Sequence, residues 1–337
     1  MYKPIKYFAA IFLIPFLMAC EKEIGYNHKN QSSFLVMNSF LNPDSVWSVS
    51  VTQSFSIMDN MGGYYVGDAE VKVYENEKFI EALKYDTVRW RYYGTGKPSV
   101  GKNYKIAVAK NDFLPIEATS IIEPAPEILK CNIVRDSITG ITSATITFKD
   151  PPGVKNFYRL VVANVDEFDE KPLFYDDGYY GGGSGYSGGR GNGKGGWSGP
   201  GWIFTNYFVH IASVDPNLNA SSSVAFLDDV PDNIFNIFND DLIDGKEYSL
   251  TFSYDISYFP EAKNTTVIYL QAITEDLHKY FKTYAAQYYY GNDDLLMEPI
   301  QVYTNVKNGG GILGSFNSKK YIVNTDNIVT KPYGSNN

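Results

Sequence analysis

Three features predict a mainly β chain made of two sandwiches, the second carrying one packed helix. Apolar and polar residues alternate in short runs, as in Val46–Phe55 and Ala144–Phe148, and period-two patterning marks strands with one buried face. Glu123-Pro124-Ala125-Pro126 makes a stiff, non-helical joint. Finally, Gly101-Lys102-Asn103-Tyr104-Lys105-Ile106 is echoed by Gly245-Lys246-Glu247-Tyr248-Ser249-Leu250: a glycine turn, then a strand with tyrosine at the same offset. Short strands with regular turns belong to sandwiches of the immunoglobulin-like or transthyretin-like kind. The expected domains are therefore residues 33–125 and 126–337, divided at the joint.

In the first domain, Phe34–Phe40 is apolar and strand-like, and Asn42-Pro43-Asp44 turns the chain. Val46–Phe55 alternates, and Gly62-Gly63 breaks the pattern. Further strands are expected at Ala69–Tyr74, Phe79–Tyr85, Val88–Tyr93 and Tyr104–Ala109. In the second domain, strands fit Ile128–Val134, Ala144–Phe148, Phe157–Ala163, Trp202–Val214, Glu247–Asp255, Thr265–Ile273 and Lys320–Val323, with a turn at Asp150-Pro151-Pro152-Gly153. One helix is expected over 275–290. Thr274 is its cap, Glu275 and Asp276 suit its N-terminal dipole, and Gly291 stops it. Leu277, Tyr280, Phe281, Tyr284, Ala285 and Tyr288 share one face, and that stripe is expected to pack on the second sandwich. Tyrosines 104 and 248, each at the start of a strand, are expected to turn their rings inward and bond nearby turns.

The N-terminus has a basic head, Lys3 and Lys6, then an apolar run from Tyr7 to Ala19. That run is shorter than the ~20 apolar residues a spanning helix needs and has the shape of a secretory signal. It ends Leu17-Met18-Ala19-Cys20, which resembles the lipobox of bacterial lipoproteins. The expectation is a signal peptide at 1–19, lipid on Cys20, and a polar tether over 20–32. Several acyl chains on one residue hold a protein at a membrane without a spanning segment.

Aromatic residues are 16% of the chain, with 28 tyrosines, enough for a large core. The net charge of −9 and a pI near 4.9 argue against nucleic acid, whose phosphates demand a basic face. With Cys20 taken by lipid, Cys131 has no partner for an internal disulfide and reads as a packed strand residue.

Residues 178–201 are a glycine-rich insertion carrying Tyr179, Tyr180, Tyr186 and Trp197, with Trp202 just beyond. Such a stretch has few side chains to bury and a large ordering entropy. It reads either as a tolerated insertion or as a contact loop whose aromatics settle on a sugar, a peptide or a protein surface.

Motifs for chemistry are weak. Gly309-Gly310-Gly311-Ile312-Leu313-Gly314 matches GxGxxG in form, but a dinucleotide site needs a helix opening on the glycines within a βαβ unit. The glycines are expected to serve a tight turn or a close backbone approach. The acids Asp228, Asp229, Asp232, Asp240, Asp241 and Asp244 have no EF-hand spacing and read as turn chemistry, so no metal and no cofactor are expected. His28, His210 and His278 are the three histidines, and HExxH, CxxC and GxSxG are absent. A non-catalytic role follows as the expectation, with a hydrolase built on His210 or His278 as its competitor.

Several segments together resemble the DUF4249 lipoproteins of Bacteroidota: Cys20-Glu21-Lys22-Glu23-Ile24, Phe34–Asn38, Asp150–Gly153, Asp228-Asp229, Leu242–Tyr248 and, most specifically, Val302–Phe316. The glycine tract departs from that pattern. The resemblance implies an outer-membrane lipoprotein facing outside, an accessory to a TonB-dependent transporter in substrate capture or presentation. The alternative is an independent adhesin or glycan-binding module using the glycine- and aromatic-rich loop.

Overall fold

A computed structural model of the chain describes residues 33–54, 64–136, 139–166, 211–220, 233–254, 264–290, 300–323 and 328–331. Cys20, the tether, Gly62-Gly63, His210, Asp228, Asp229, Asp232, Gly291 and the 178–201 tract with Tyr179, Tyr180, Tyr186 and Trp197, as well as Trp202, lie outside them.

Alternation decides the strands. In β1 (Leu35–Leu41) every second side chain is buried, and β8 (Asn103–Ala109) and β11 (Thr142–Lys149) repeat the pattern. The first core lies between two layers. One is a four-stranded sheet of β5 (Lys78–Ala82), β4 (Glu70–Glu75), β8 and β9 (Ile116–Ile121). The other is β1, β2 (Ser48–Gln53), β7 (Arg91–Tyr93) and β6 (Lys84–Asp86), with β3 (Tyr64–Tyr65) also on β2. Met37, Trp47, Val49, Val73, Tyr104 and Ile106 fill it.

The second core is built the same way. Its five-stranded layer runs β13 (Ile211–Ala212), β15 (Glu247–Tyr254), β11, β10 (Glu127–Asp136) and β18 (Ile328–Lys331). Opposite stand β14 (Ile237–Asn239), β12 (Phe157–Asp166) and β16 (Asn264–Ile273). Ile146, Phe148, Tyr158, Leu160, Phe252 and Ile268 pack between them. The fold is thus mainly β and rich in sandwich packing.

The two cores share one sheet. The long strand β17 (Gly310–Val323) pairs in parallel with β1, Val36 opposite Gly310 through Leu41 opposite Ser315. It then pairs antiparallel with β16, Phe316 opposite Ile273 through Val323 opposite Thr266. Leu313 therefore enters the first core, while Tyr321 and Val323 pack on the second. The joint at Glu123–Pro126 separates the strands of the two cores except at β17, which belongs to both, so the described residues from Ser33 onward form one compact unit.

A five-residue helix, α1 (Pro216–Ala220), precedes β14. The helix α2 (Glu275–Tyr290) lies where the apolar stripe and acidic first turn place it. Leu277, Tyr280 and Phe281 form a third cluster with Phe235, Ile312 and Phe316, with Tyr284 and Ala285 at its margin. The helix thus packs on β12 and β17, on the face turned away from the five-stranded layer. Thr274 is its cap by position, since His278 N donates to Thr274 O at 2.9 Å. Its hydroxyl, however, accepts from Ser315 N at 3.3 Å, so the side chain ties the helix to β17 rather than to its own first turn.

Three strand expectations need correction. Of Trp202–Val214, residues 202–210 lie outside the described residues and only Ile211–Ala212 of the rest is strand. Phe79–Tyr85 is two strands, β5 and β6, broken at Leu83 where the chain passes between sheets. In Val88–Tyr93 only Arg91–Tyr93 is strand. Asp86 Oδ1 accepts from Val88 N at 2.8 Å and Arg89 N at 3.1 Å, and Trp90 is left-handed with φ 56°, so a side-chain-closed turn overrides the β preference of valine and tryptophan. The internal echo is structural. Gly101 and Gly245 both hold left-handed φ, 74° and 70°. Tyr104 is buried, accepts from Ser99 N at 2.9 Å and reaches Glu75. Half-buried Tyr248 donates to Asp215 at 2.7 Å, the residue that caps α1 through Asn217 N.

Candidate functional site

A cleft of about 740 Å³ opens where the two halves meet, within the size range of small-ligand pockets. Its walls are the end of β9 (Thr119–Ile121), the Glu123–Glu127 joint, the Asp150–Pro152 loop, the first residues of β12, and Ile273–Asp276 at the start of α2. Four prolines (124, 126, 151 and 152) stand in these walls. Their locked φ angles and lost N–H donors keep both loops out of the neighbouring sheets, leaving a recess.

Side chains from the β17 region rivet the joint in place. Asn317 Nδ2 donates to Glu123 O at 2.9 Å and Ser315 Oγ to Ile121 O. Lys307 N donates to Glu117 O at 2.9 Å, and Asn308 Nδ2 to Pro115 O at 3.2 Å. Asn305 grips Leu313 through both its amide groups and meets Asp276 at 3.0 Å. The segment Val302–Phe316 is thus a fastener between β9, β17 and the helix. Its glycines serve close approach. A Cβ on Gly309 would stand 2.5 Å from Leu35 O, and Gly311 has φ 95°. No helix opens on them, because they begin and run along β17, so the dinucleotide reading falls.

The lower wall is clasped by carboxylates. Buried Asp150 accepts from Tyr158 Oη at 2.5 Å and Gly245 N at 2.9 Å. Asp244 accepts from Gly153 N and Asp240 from Asn156 N, both at 2.7 Å. Lys155 bonds Asp240 at 2.8 Å and also Asp241. Oxygens of Asp150, Asp240 and Asp244 lie within 4.8 Å of one another. Burial first, and then repulsion from Asp240 and Asp244, raises the Asp150 carboxyl. Burial and the Asp150 carboxylate likewise push the Tyr158 phenol up. With peptide N–H donors and Lys155 already on these oxygens, the arrangement fastens loop 150–153 to loop 240–246. Sequence reading named Asp240 and Asp244 but missed Asp150, which only the fold brings beside them.

Removing Asp150 leaves the buried Tyr158 hydroxyl and the half-buried Gly245 N–H without their acceptor, a loss of about 3 kcal/mol. Asp150→Ala is therefore expected to lower the urea midpoint clearly, while Asp244→Ala, at the exposed end of the clasp, shifts it by under about 1 kcal/mol. Equal midpoints for the two variants would refute the clasp.

Toward the opening, Glu127 stands opposite Lys149 in the β10–β11 register, and Glu123 sits on the joint. The recess is chemically a mixed-charge, proline-walled cleft. His278 is not among the residues that line it. Its ring packs on Phe157 at 4.9 Å, and its buried Nε2 has no hydrogen-bond partner. Among the described residues His278 therefore forms no pair with a serine nucleophile. Burial pushes the Cys131 thiol up to about 11, so it stays protonated at the margin of the second core.

A search of curated proteins finds no match. The family model described as a domain of unknown function (DUF4249) matches residues 21–322, a span that takes in the β9–β17 fastener, the carboxylate clasp and all but the last strand. The chain belongs to the DUF4249 family.

Proposed function

We propose that this protein is an outer-membrane lipoprotein, anchored by acyl groups on Cys20 and facing outside, that assists a TonB-dependent transporter without performing chemistry itself. The observation that carries the reading is Leu17-Met18-Ala19-Cys20 at the end of a short apolar run, just ahead of a polar stretch and a β-sandwich body. No described helix is long and apolar enough to cross a membrane, so lipid is the economical anchor. The junction cleft is the recess in which a segment of cargo or of the transporter is held during capture or presentation.

Cys20→Ser is the direct test. The parent is expected in the membrane fraction, labelled by palmitate, with a TonB-dependent transporter co-purifying from gently solubilised membranes. The variant is expected to lose the label and leave the membrane. A variant that stays membrane-bound and unlabelled removes the anchor, and a parent that brings down no transporter removes the partnership.

The competing reading, an adhesin or glycan binder, rests on Tyr179, Tyr180, Tyr186, Trp197 and Trp202 in and beside the glycine tract. It requires that replacing Trp197 and Trp202 with alanine weaken binding on a glycan or host-protein array.

A further inference from the structure

Outside the cleft lining, β3 and the tip of the β6–β7 hairpin leave large apolar side chains exposed. Tyr65 is 47% exposed, Trp90 49% and Val88 78%. The Tyr65 and Trp90 rings lie 5.5 Å apart at 45°. Isolated exposed apolar residues need no explanation, but this pair is built. Tyr92, 2% exposed, donates from its hydroxyl to Val66 O and accepts from Ala69 N, both at 2.8 Å. That bridge locks the segment following β3 against β7, and so holds Tyr65 beside Trp90. The hairpin tip is closed by Asp86 on two backbone amides. Trp90 itself is left-handed, with φ 56°, a conformation that is strained for a non-glycine residue. Here burial does not offset that strain, since half of the residue stays in water. Strain held by a rigid frame, with the strained side chain turned outward, is the pattern of a binding element.

We propose that Tyr65 and Trp90 form a ledge that binds a neutral oligosaccharide. A pyranose presents a face of C–H groups made slightly positive by neighbouring oxygens, and this face packs on the electron-rich face of an aromatic ring. Two tilted rings follow successive sugars of a twisted chain better than they hold one flat ring. The rim carries both signs: Lys84, and Asp86 paired with Arg89 at 3.7 Å, whose guanidinium lies 5.6 Å from the Tyr93 ring centre. The same rim argues against other occupants. A protein interface buries ~800 Å² per partner around an apolar centre, and here, among the described residues, the apolar surface is broken by charges within a few residues. An anionic membrane surface calls for a basic patch, whereas this ledge carries mixed charge on a chain of net −9. The site is independent of the lipid anchor and of the transporter reading, so either can fail alone.

The test is titration of the full-length chain in mild detergent with cellohexaose, laminarihexaose, xylohexaose and mannohexaose, followed by calorimetry. At least one sugar is expected to bind. Trp90→Ala and Tyr65→Ala should each weaken it by about tenfold, which is about 1.4 kcal/mol. Trp90→Phe, which keeps a ring, should stay within about threefold of the parent. The double change Trp197→Ala with Trp202→Ala should leave binding unchanged, and unchanged melting temperatures would show that the ledge variants fold. The proposal is overturned by silence across all four sugars at millimolar concentration, by binding that survives Trp90→Ala, by binding lost with the Trp197 and Trp202 pair, or by a tryptophan-rich peptide binding at the ledge in place of every sugar.

Discussion

Gly311→Ala is expected to leave little or no folded protein. Gly311 sits opposite Met37 in the parallel β1–β17 pairing. A Cβ there would overlap the Met37 carbonyl oxygen outright and stand 2.8 Å from Asn38 Oδ1. Neither neighbour is the loose end of a side chain that could swing away: one is strand backbone, and the Asn38 oxygen is buried. The residue also has φ 95°, which penalises any side chain. Two controls separate these effects. Gly101 and Gly140 have φ 74° and 73° with nothing within 4 Å of an added Cβ, so alanine there costs about 1 kcal/mol of backbone strain. At Gly311 the steric overlap adds to the strain, and the sum should exceed about 4 kcal/mol, a large share of the 5–15 kcal/mol typical of a whole domain. Soluble yield and the urea midpoint of the three variants check this. A Gly311→Ala protein as stable as Gly101→Ala would show that β17 does not join the two cores.

Acid should destabilise the protein through His278 before the carboxylates that are held low titrate. The ring is buried under α2, and burial first, then repulsion from Lys282, pushes it down to about 4. Glu275 on the same helix and Asp241 across from it pull the other way, and Lys155 adds to the repulsion. The unfolded imidazole takes its proton near 6.5, the native one only near 4. Between these values the unfolded chain binds more protons, so stability is complete above about pH 6.5 and is lost as pH falls toward 4. At about 1.4 kcal/mol per pH unit, the loss approaches about 3 kcal/mol. His278→Phe keeps a ring on Phe157 and removes the proton site. Urea unfolding from pH 7 to 4.5 should show a falling midpoint for the parent and a flatter one for the variant. Coincident slopes would mean that the imidazole is hydrated in the native state. Asp68, Asp86 and Asp241, held low chiefly by hydrogen bonds, lose their contribution only below about pH 4, outside that window.

Much of the architecture was legible because its signals are local. Helix α2 is a case in point: cap position, acidic first turn and apolar stripe all lie within its own residues, and the helix occupies the expected span. The alternating strands were legible for the same reason, since each side chain's face follows from its parity. Legibility ended where distant segments choose their neighbours. The parallel partner of β1 is nearly the whole chain away. Thr274 was recognised as a cap, but its hydroxyl answers to Ser315. Val88–Trp90 has the composition of a strand, yet Asp86 draws its amides into a turn.

The candidate sites divide along the same line. Lipid on Cys20, the polar tether and the aromatic tract are statements about consecutive residues, and composition alone carries them as expectations. The clasp of Asp150 with Asp240 and Asp244, the riveted joint and the Tyr65–Trp90 ledge each unite residues from separate turns and strands. By itself the sequence determined most of the segments that become strand, helix or joint, because backbone preference and side-chain parity are largely settled within a few residues. Only the tertiary structure decided which strands share a sheet and which polar groups meet, because register and side-chain pairing depend on burying complementary surfaces contributed by segments far apart in the chain.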